Sequence, residues 1–329
     1  MKIAILGAGA WGTALAINLS ARHCVTLWTK FPEHLSEMIT HRVNVSFFPD
    51  FHLPESLLLT ASLAGALETA DLVVLVVPVA GLRETLQSIA KANIKVPIIW
   101  GCKGFESQAA KLPHQVVAEE LTGDIPCGVI SGPSFAQEVA RGLPTALTLA
   151  SNDVAFAQEM AGQLHSTKLR IYTSHDVIGV ETGGAVKNVI TIAAGISDGL
   201  GFGHNARAAL ITRGLLEMTR LGLGLGGKVE TFMGLAGVGD LILTCTGDLS
   251  RNRRVGLMLA AGRALPEILN ELGHVAEGVH TARAVLHLSR KLNVSMPLTE
   301  SVCNILHAGM PAREAVEQLL NREPKAEIY

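Results

Sequence analysis

The chain has 329 residues, 48% of them hydrophobic, and 27 basic against 29 acidic side chains leave a formal charge of −2. That length exceeds one ordinary core and points to two domains, while the near-neutral balance gives no bulk support for a nucleic-acid or acidic-membrane surface. The odd, scattered cysteines (Cys24, Cys102, Cys127, Cys245, Cys303) contain no CxxC pair and predict reduced thiols in a cytoplasmic protein, with no disulfide and no metal.

Lys2–Leu6 is a short apolar, β-prone run, followed directly by Gly7-Ala8-Gly9-Ala10-Trp11-Gly12 and then by the Ala- and Leu-rich residues 13–19. The order strand, glycine turn, helix suits a dinucleotide. Gly7 permits the tight turn, Gly9 lets a pyrophosphate approach bare backbone, and Gly12 lets the helix pack close to the strand with the phosphates at its N-terminus. A tightly packed glycine turn that binds nothing is the plainer alternative. No basic and apolar leader precedes this strand, and the longest apolar run, residues 72–82, is short and broken by Pro78, so neither export nor membrane insertion is expected.

Residues 25–28 (VTLW) read as a second strand, parallel to the first, running into Thr29-Lys30 with no acid placed to hold a ribose 2′-hydroxyl. Residues 40–54 look irregular. Residues 72–77 (LVVLVV) form a continuous apolar run, as in a strand buried on both faces of a parallel sheet. Residues 96–100 lead into Gly101-Cys102-Lys103-Gly104-Phe105 at a carboxyl end of the sheet, where ligands of such sheets sit, although a lysine between glycines is more often just solvated. Residues 129–131 lead to Gly132-Pro133-Ser134, and Ser134 with Gln137 has capping-box spacing, so a helix cap competes with a ligand contact there. Residues 145–150 and 169–173 supply two more strands, with Ser151-Asn152-Asp153 able to cap a helix between them.

From Asp176 the strand signals stop and helical stripes alternate with Gly and Pro. The expected architecture is α/β, an N-terminal Rossmann-like doubly wound sheet over residues 1–176 followed by an all-α domain over 177–329. The polar cluster Ser174-His175-Asp176 suits the cap of the first new helix. Residues 222–227 (GLGLGG) read as a loop. Two stretches carry candidate chemistry. Gly183 and Gly184 flank Lys187 and Asn188 on one helix, at about 1 kcal/mol per glycine relative to alanine, which suggests a close approach. Residues 249–254 (LSRNRR) concentrate three arginines suited to phosphate or carboxylate, unless they are a solvated face.

GAGAWGTALA (7–16), SGPSFAQEVARG (131–142), GGAVKNV (183–189), GLGFGHNARAAL (199–210), GLAGVGDLILTCT (234–246), LSRNRRVG (249–256) and AEGVHTA (276–282) together resemble the bacterial-type NAD(P)-dependent glycerol-3-phosphate dehydrogenases. The resemblance spans essentially the whole chain. It implies reversible hydride transfer between a nicotinamide and C2 of glycerol 3-phosphate or dihydroxyacetone phosphate, without metal, in the cytoplasm and in the service of phospholipid synthesis. By it, Lys187 is the proton acceptor in alcohol oxidation and donor in ketone reduction. Lys103, Gly132, Ser134, Asp240, Ser250, Arg251 and Asn252 match substrate positions. Trp11, Lys30, Lys103, Ala136, Arg251, Val275 and Glu277 match cofactor positions beside Gly7, Gly9 and Gly12, and Thr244 matches a supporting partner. Phe48-Pro49-Asp50 departs from the usual Tyr-Leu-Pro-Gly-like loop, and Lys30 stands where Arg is commoner.

A free lysine titrates near 10.4, so a base working near neutrality needs a depression of roughly 2–3 units, which burial and a second cation, Lys103, can supply against the opposing Asp240. Lys103 would also polarise the C2 carbonyl. The missing acid after the second strand predicts that NADPH is accepted and preferred, with NADH usable. Enzymes of the 6-phosphogluconate or 3-hydroxyacid dehydrogenase type share much of this plan but are disfavoured by SGPSFA and LSRNR. A non-catalytic NADP-binding sensor would have lost the lysine or the anion grip. Partners are a small phosphorylated substrate, no nucleic acid and no membrane, with a homodimer as the candidate assembly.

Overall fold

The computed structural model describes residues 1–106, 109–273 and 276–323. Its strands are β1 (Lys2–Leu6), β2 (Cys24–Trp28), β3 (Val43–Asn44), β4 (Phe48–His52), β5 (Leu58–Thr60), β6 (Leu72–Leu75), β7 (Ile98–Trp100), β8 (Cys127–Ser131), β9 (Thr145–Ala150) and β10 (Leu169–Ser174). Helices α1 (Ala10–Ser20), α2 (Pro32–His41), α3 (Leu63–Leu67), α4 (Val79–Ala92), α5 (Pro113–Glu120), α6 (Ala136–Ala140) and α7 (Val154–Leu164) alternate with them. The order β10-β9-β8-β7-β6-β1-β2-β5 contains the doubly wound arrangement, parallel from β5 to β8 and reversing direction of growth between β1 and β6. A crevice opens at the carboxyl ends of the strands at such a reversal, and the glycine turn after β1 lies there. The pair β8–β9 is antiparallel, so β9 and β10 run against the other six strands. All four residues of β6 are buried, as its unbroken apolar run requires of a strand covered on both faces.

The helical half comprises α8 (Val177–Gly199), α9 (Gly203–Gly224), α10 (Val229–Phe232), a π-helical turn (Leu235–Gly239), α11 (Asp240–Thr246), α12 (Arg251–Ala260), α13 (Leu265–Leu272), α14 (Glu277–Lys291), α15 (Pro297–His307) and α16 (Ala312–Leu320). Among the described residues no strand follows Ser174. Asp176 caps α8, its carboxylate accepting from the Gly179 N–H at 2.8 Å. Helix α8 is the axis of this half, packed against α9, α11, α12 and α14. Two stretches, Val177–Gly199 and Val229–Thr246, are long and apolar enough to cross a membrane, but 94% of the first is buried inside the protein, as in the core helix of a globular fold.

Three local expectations are corrected. Residues 40–54 hold the β3–β4 hairpin, in which Phe48 stacks on Phe51 at a centroid distance of 4.4 Å; its Pro, Asp and aromatic mixture hides the strand pattern. Residues 222–227 are not all loop, because α9 continues to Gly224: Gly222 is helical and a Cβ there would fall 2.0 Å from the Phe232 ring. Ser134 caps nothing. Helix α6 starts after Phe135, and the Ser134 hydroxyl donates to the Gly132 carbonyl at 3.1 Å instead.

Candidate active site

The glycine turn is a cradle shaped by exclusion. Gly7 has φ +121°, and a Cβ on it would meet Val76 backbone at 2.8 Å; a Cβ on Gly12 would fall 2.0 Å from the Gly7 carbonyl. Gly9, the residue before α1, faces open space and caps the helix with no side chain. Its free N–H groups and the helix dipole are therefore presented outward to an anion. Trp11 packs its ring against Gly101, and its Nε1–H is buried without a partner. A buried relay absent from the sequence reading pins this turn. The Thr29 hydroxyl meets His34 at 3.1 Å and the other His34 nitrogen meets Asn44 at 2.8 Å. Asn44 in turn donates to the Ala8 carbonyl and the Thr13 hydroxyl, each at 2.8 Å. Lys30, just beyond β2, pairs with Glu84 of α4 at 2.6 Å on the exposed surface.

Across the crevice, Asp240 joins the two halves. Its Oδ2 accepts from Lys103 Nζ at 2.8 Å and its Oδ1 from Lys187 Nζ at 2.5 Å; Lys187 also donates to the Thr244 hydroxyl at 3.1 Å. Thr244 sends its own proton back to the Asp240 carbonyl at 2.6 Å, leaving its lone pairs to the lysine. Lys103 additionally reaches the Gly132 carbonyl at 3.4 Å. Asp240 is 1% exposed, Lys187 7%. Burial draws the Lys187 ammonium down to about 8, with Asp240 opposing and Lys103 assisting. Burial would raise the Asp240 carboxyl, but the two lysines together hold it below the ordinary range.

The backbone explains how two lysines and an acid meet. Asp240 follows the π-helical turn, whose Gly237 has no room for a Cβ beside Phe232 at 2.2 Å; such turns locally re-aim side chains. The glycines preceding Lys187 admit the protein's own chain. A Cβ on Gly183 would strike the Ala236 carbonyl at 2.3 Å, and one on Gly184 would lie 2.9 Å from the Ser131 hydroxyl and 3.5 Å from the Lys103 stem. The close approach that the glycines suggest is therefore α8 against the π turn and the end of β8. The Ser131 hydroxyl at this seam is buried with no partner.

The arginine cluster divides. Arg253 is bound to Asp198 at 2.7 Å and to Asp248 at 2.8 Å, and so braces the fold. Arg251, on the exposed face of α12, keeps water contact, yet the surrounding cleft walls lower its pKa against the pull of Glu277. The Glu277 carboxyl is raised by burial, against the opposing influence of the Val79 backbone and Arg251, and faces Gly104. Ser250 caps α12 by accepting from Arg253 N–H at 3.3 Å. Asn252 donates to Asn188 at 3.0 Å and accepts from the Gly278 N–H at 3.2 Å, which ties α8, α12 and α14 together and leaves one amide hydrogen. Ala136 opens α6, and Val275 lies outside the described residues.

The structure thus brings Lys103, Gly132, Lys187, Asp240 and Thr244 into one cluster, sets Glu277 against the Gly104 turn within electrostatic reach of Arg251, and keeps Lys30 apart from them beside Glu84. Sequence reasoning also missed Glu181. Its buried carboxylate accepts from Trp100 Nε1 at 2.6 Å, His114 N–H at 2.8 Å and His114 Nδ1 at 2.5 Å, fastening α8 to β7 and α5. Its presence in the GGAVKN helix was visible, but partners 67 and 81 residues away were not.

Residues 2–157 match the family model for the N-terminus of NAD-dependent glycerol-3-phosphate dehydrogenase, and residues 176–317 match that for its C-terminus. The chain is 67% identical over 333 residues to a glycerol-3-phosphate dehydrogenase (NAD(P)+) of Nitrosospira multiformis, with 100% of each covered. It is 62% identical to the enzyme of the same name from Nitrosomonas eutropha, with 99% of each covered. Among solved structures, glycerol-3-phosphate dehydrogenase from Coxiella burnetii superposes with a TM-score of 0.94 at 46% identity, covering 98% of this chain and 99% of that one. By both halves and over its full length, this chain belongs to the NAD-dependent glycerol-3-phosphate dehydrogenase family.

Proposed function

We propose that the chain interconverts dihydroxyacetone phosphate and sn-glycerol 3-phosphate with NADH or NADPH, in the cytoplasm, supplying glycerol 3-phosphate for phospholipid synthesis. The observation that carries this reading is the single carboxylate of Asp240 holding Lys187 and Lys103 together where the sheet half meets the helical half. Gly7, Gly9 and Gly12 would hold the pyrophosphate of a nicotinamide dinucleotide, which when bound would supply or take the hydride. The open face of Gly9 and the unpartnered Trp11 Nε1–H support such a ligand, and Lys30, Lys103, Ala136, Arg251, Val275 and Glu277 are its other candidate contacts.

Lys187 gives its proton to the C2 oxygen during ketone reduction and removes it during alcohol oxidation. With a pKa near 8 it exists in both forms around neutrality, which is what a general acid–base group needs. Asp240 and Thr244 fix the direction of its Nζ. Lys103 faces the same oxygen as negative charge develops there, in a site poor in water where a fixed cation acts strongly. Arg251 offers a forked, permanently charged grip for the phosphate, and Ser250, Asn252, Gly132 and Ser134 are the further candidate substrate contacts. NADPH is the preferred coenzyme in this account, because no acid follows β2. We take residues 1–176 as the coenzyme domain and 177–329 as the substrate domain, a division supported by the end of β10 at Ser174 and the helix cap at Asp176. A homodimer is the assembly to test by sedimentation.

The testing experiment is NADPH oxidation, followed by absorbance, with dihydroxyacetone phosphate and with unphosphorylated dihydroxyacetone. The phosphorylated ketone is expected to be turned over and the other to be used poorly. Equal use of both would remove the phosphate grip, and no oxidation with either would remove the reading.

A further inference from the structure

β2 ends without an acid for the ribose 2′-hydroxyl, yet a carboxylate reaches that place from another element. Lys30 Nζ lies 2.6 Å from Oε1 of Glu84, and the two side chains are 54% and 66% exposed. Lys30 follows β2, which pairs with one side of β1, whereas Glu84 stands on α4, which follows β6 on the other side of β1. The pair therefore bridges the two sides of the crevice at the reversal of strand order, where an adenosine ribose of a dinucleotide is read at the end of the second strand.

The two partners have opposite preferences at a ribose 2′ position. A 2′-phosphate dianion attracts the Lys30 ammonium and repels the Glu84 carboxylate; a 2′-hydroxyl gains little from an ammonium but can donate to a carboxylate. Both side chains are exposed, and their mutual pairing is of the weak, solvent-screened kind that a ligand can replace. We propose that Lys30 and Glu84 form a two-way coenzyme reader: Lys30 leaves its partner to bind the 2′-phosphate of NADPH, and Glu84 accepts the ribose hydroxyl of NADH, so that α4 supplies the acid that β2 lacks. The inference rests on the nicotinamide reading of the glycine turn and adds to it a residue that sets coenzyme choice. It also accounts for dual use, because neither partner is buried enough to exclude the other coenzyme.

The test uses the full chain and reads binding rather than turnover. Tryptophan fluorescence is titrated with NADPH and with NADH for the wild type, Glu84→Gln, Lys30→Gln and the double variant. Glu84→Gln is expected to weaken NADH about two- to fivefold while leaving NADPH as tight or tighter; Lys30→Gln is expected to weaken NADPH by a similar factor and NADH less. Both shifts shrink at high salt. An unchanged NADH affinity in Glu84→Gln overturns the acceptor role even if NADPH tightens. Equal weakening of both coenzymes overturns it too, since that is the mark of a merely structural pair. Because no substrate is present, failure to turn over dihydroxyacetone phosphate bears on the proposed reaction alone, whereas a wild type that binds neither coenzyme overturns both.

Discussion

Two lysine–carboxylate pairs face the same crevice and differ chiefly in burial. Lys187 and Asp240 are almost wholly enclosed, 7% and 1% exposed, and their pairing is shared with Lys103; Lys30 and Glu84 lie in water. In the enclosed pair, loss of hydration outweighs the attraction of the carboxylate and brings an ammonium down to about 8, so the lysine can exchange protons near neutrality. In the exposed pair, water screens the same interaction to a fraction of a kcal/mol, which suits a reader of small differences and not an acid or base. Glycines allow the enclosing: Gly183 and Gly237 permit backbone approaches that a Cβ would block, and Gly184 leaves room for the Ser131 and Lys103 side chains.

The sharpest way to break this comparison is to remove the enclosed lysine. Lys187→Ala is expected to lower kcat by about 10²–10⁴-fold while coenzyme binding persists, measured by turnover and by fluorescence titration. A variant retaining more than about a tenth of wild-type turnover would place the proton donor elsewhere. Asp240→Asn leaves the buried Lys187 and the partly buried Lys103 without their counter-ion, and is expected to cost about 3–5 kcal/mol of stability in thermal or urea unfolding, as well as activity. A variant as stable as wild type would show that the three charges are not coupled. Arg251→Ala, next in size, is expected to reduce kcat/KM for dihydroxyacetone phosphate by about 10- to 150-fold, the value of a charge-assisted bond, with little change in melting temperature. An unchanged kcat/KM would return Arg251 to a solvated face.

How much of this was legible in the chain depends on the range of the interactions. The glycine turn and the glycines before Lys187 sit in local motifs whose backbone demands can be read residue by residue, whereas Asp240 is reached only through the family resemblance and Lys103, by itself, is a weak candidate. The parallel sheet announces itself in runs such as LVVL of β6. Strand β5 has only three residues, none fully buried, and so carries no pattern. The division of Arg251 from Arg253 depends on helix phase together with the position of Asp198, 55 residues from Arg253. The pairing of Lys30 with Glu84 spans 54 residues and two crossovers. The relay through His34 and Asn44 is likewise a product of topology.

The smallest predicted effect concerns stability away from the crevice. Glu217 in α9 accepts from the Leu298 and Thr299 N–H groups and the Thr299 hydroxyl at the start of α15, and burial raises its carboxyl to about 7. A carboxyl raised on folding favours the protonated native state, so its contribution is most favourable below about 4.5 and is lost as pH climbs through 7. Unfolding free energy is expected to fall across that window with a slope from this group of at most about 1.4 kcal/mol per pH unit, and the slope to weaken in Glu217→Gln. Identical slopes in the two proteins would show that Glu217 does not titrate in the native state over this range.

The pH dependence of kcat for glycerol 3-phosphate oxidation, compared between wild type and Asp240→Asn, tests the central claim most directly. In the proposed mechanism oxidation requires neutral Lys187, so the wild-type rate is expected to rise with pH through a limb near 8. Removing Asp240 withdraws the partner that favours the ammonium, and the limb is expected to move to lower pH in whatever activity remains. A limb that stays in place, or moves to higher pH, would contradict an account in which Asp240 holds and tunes the catalytic lysine.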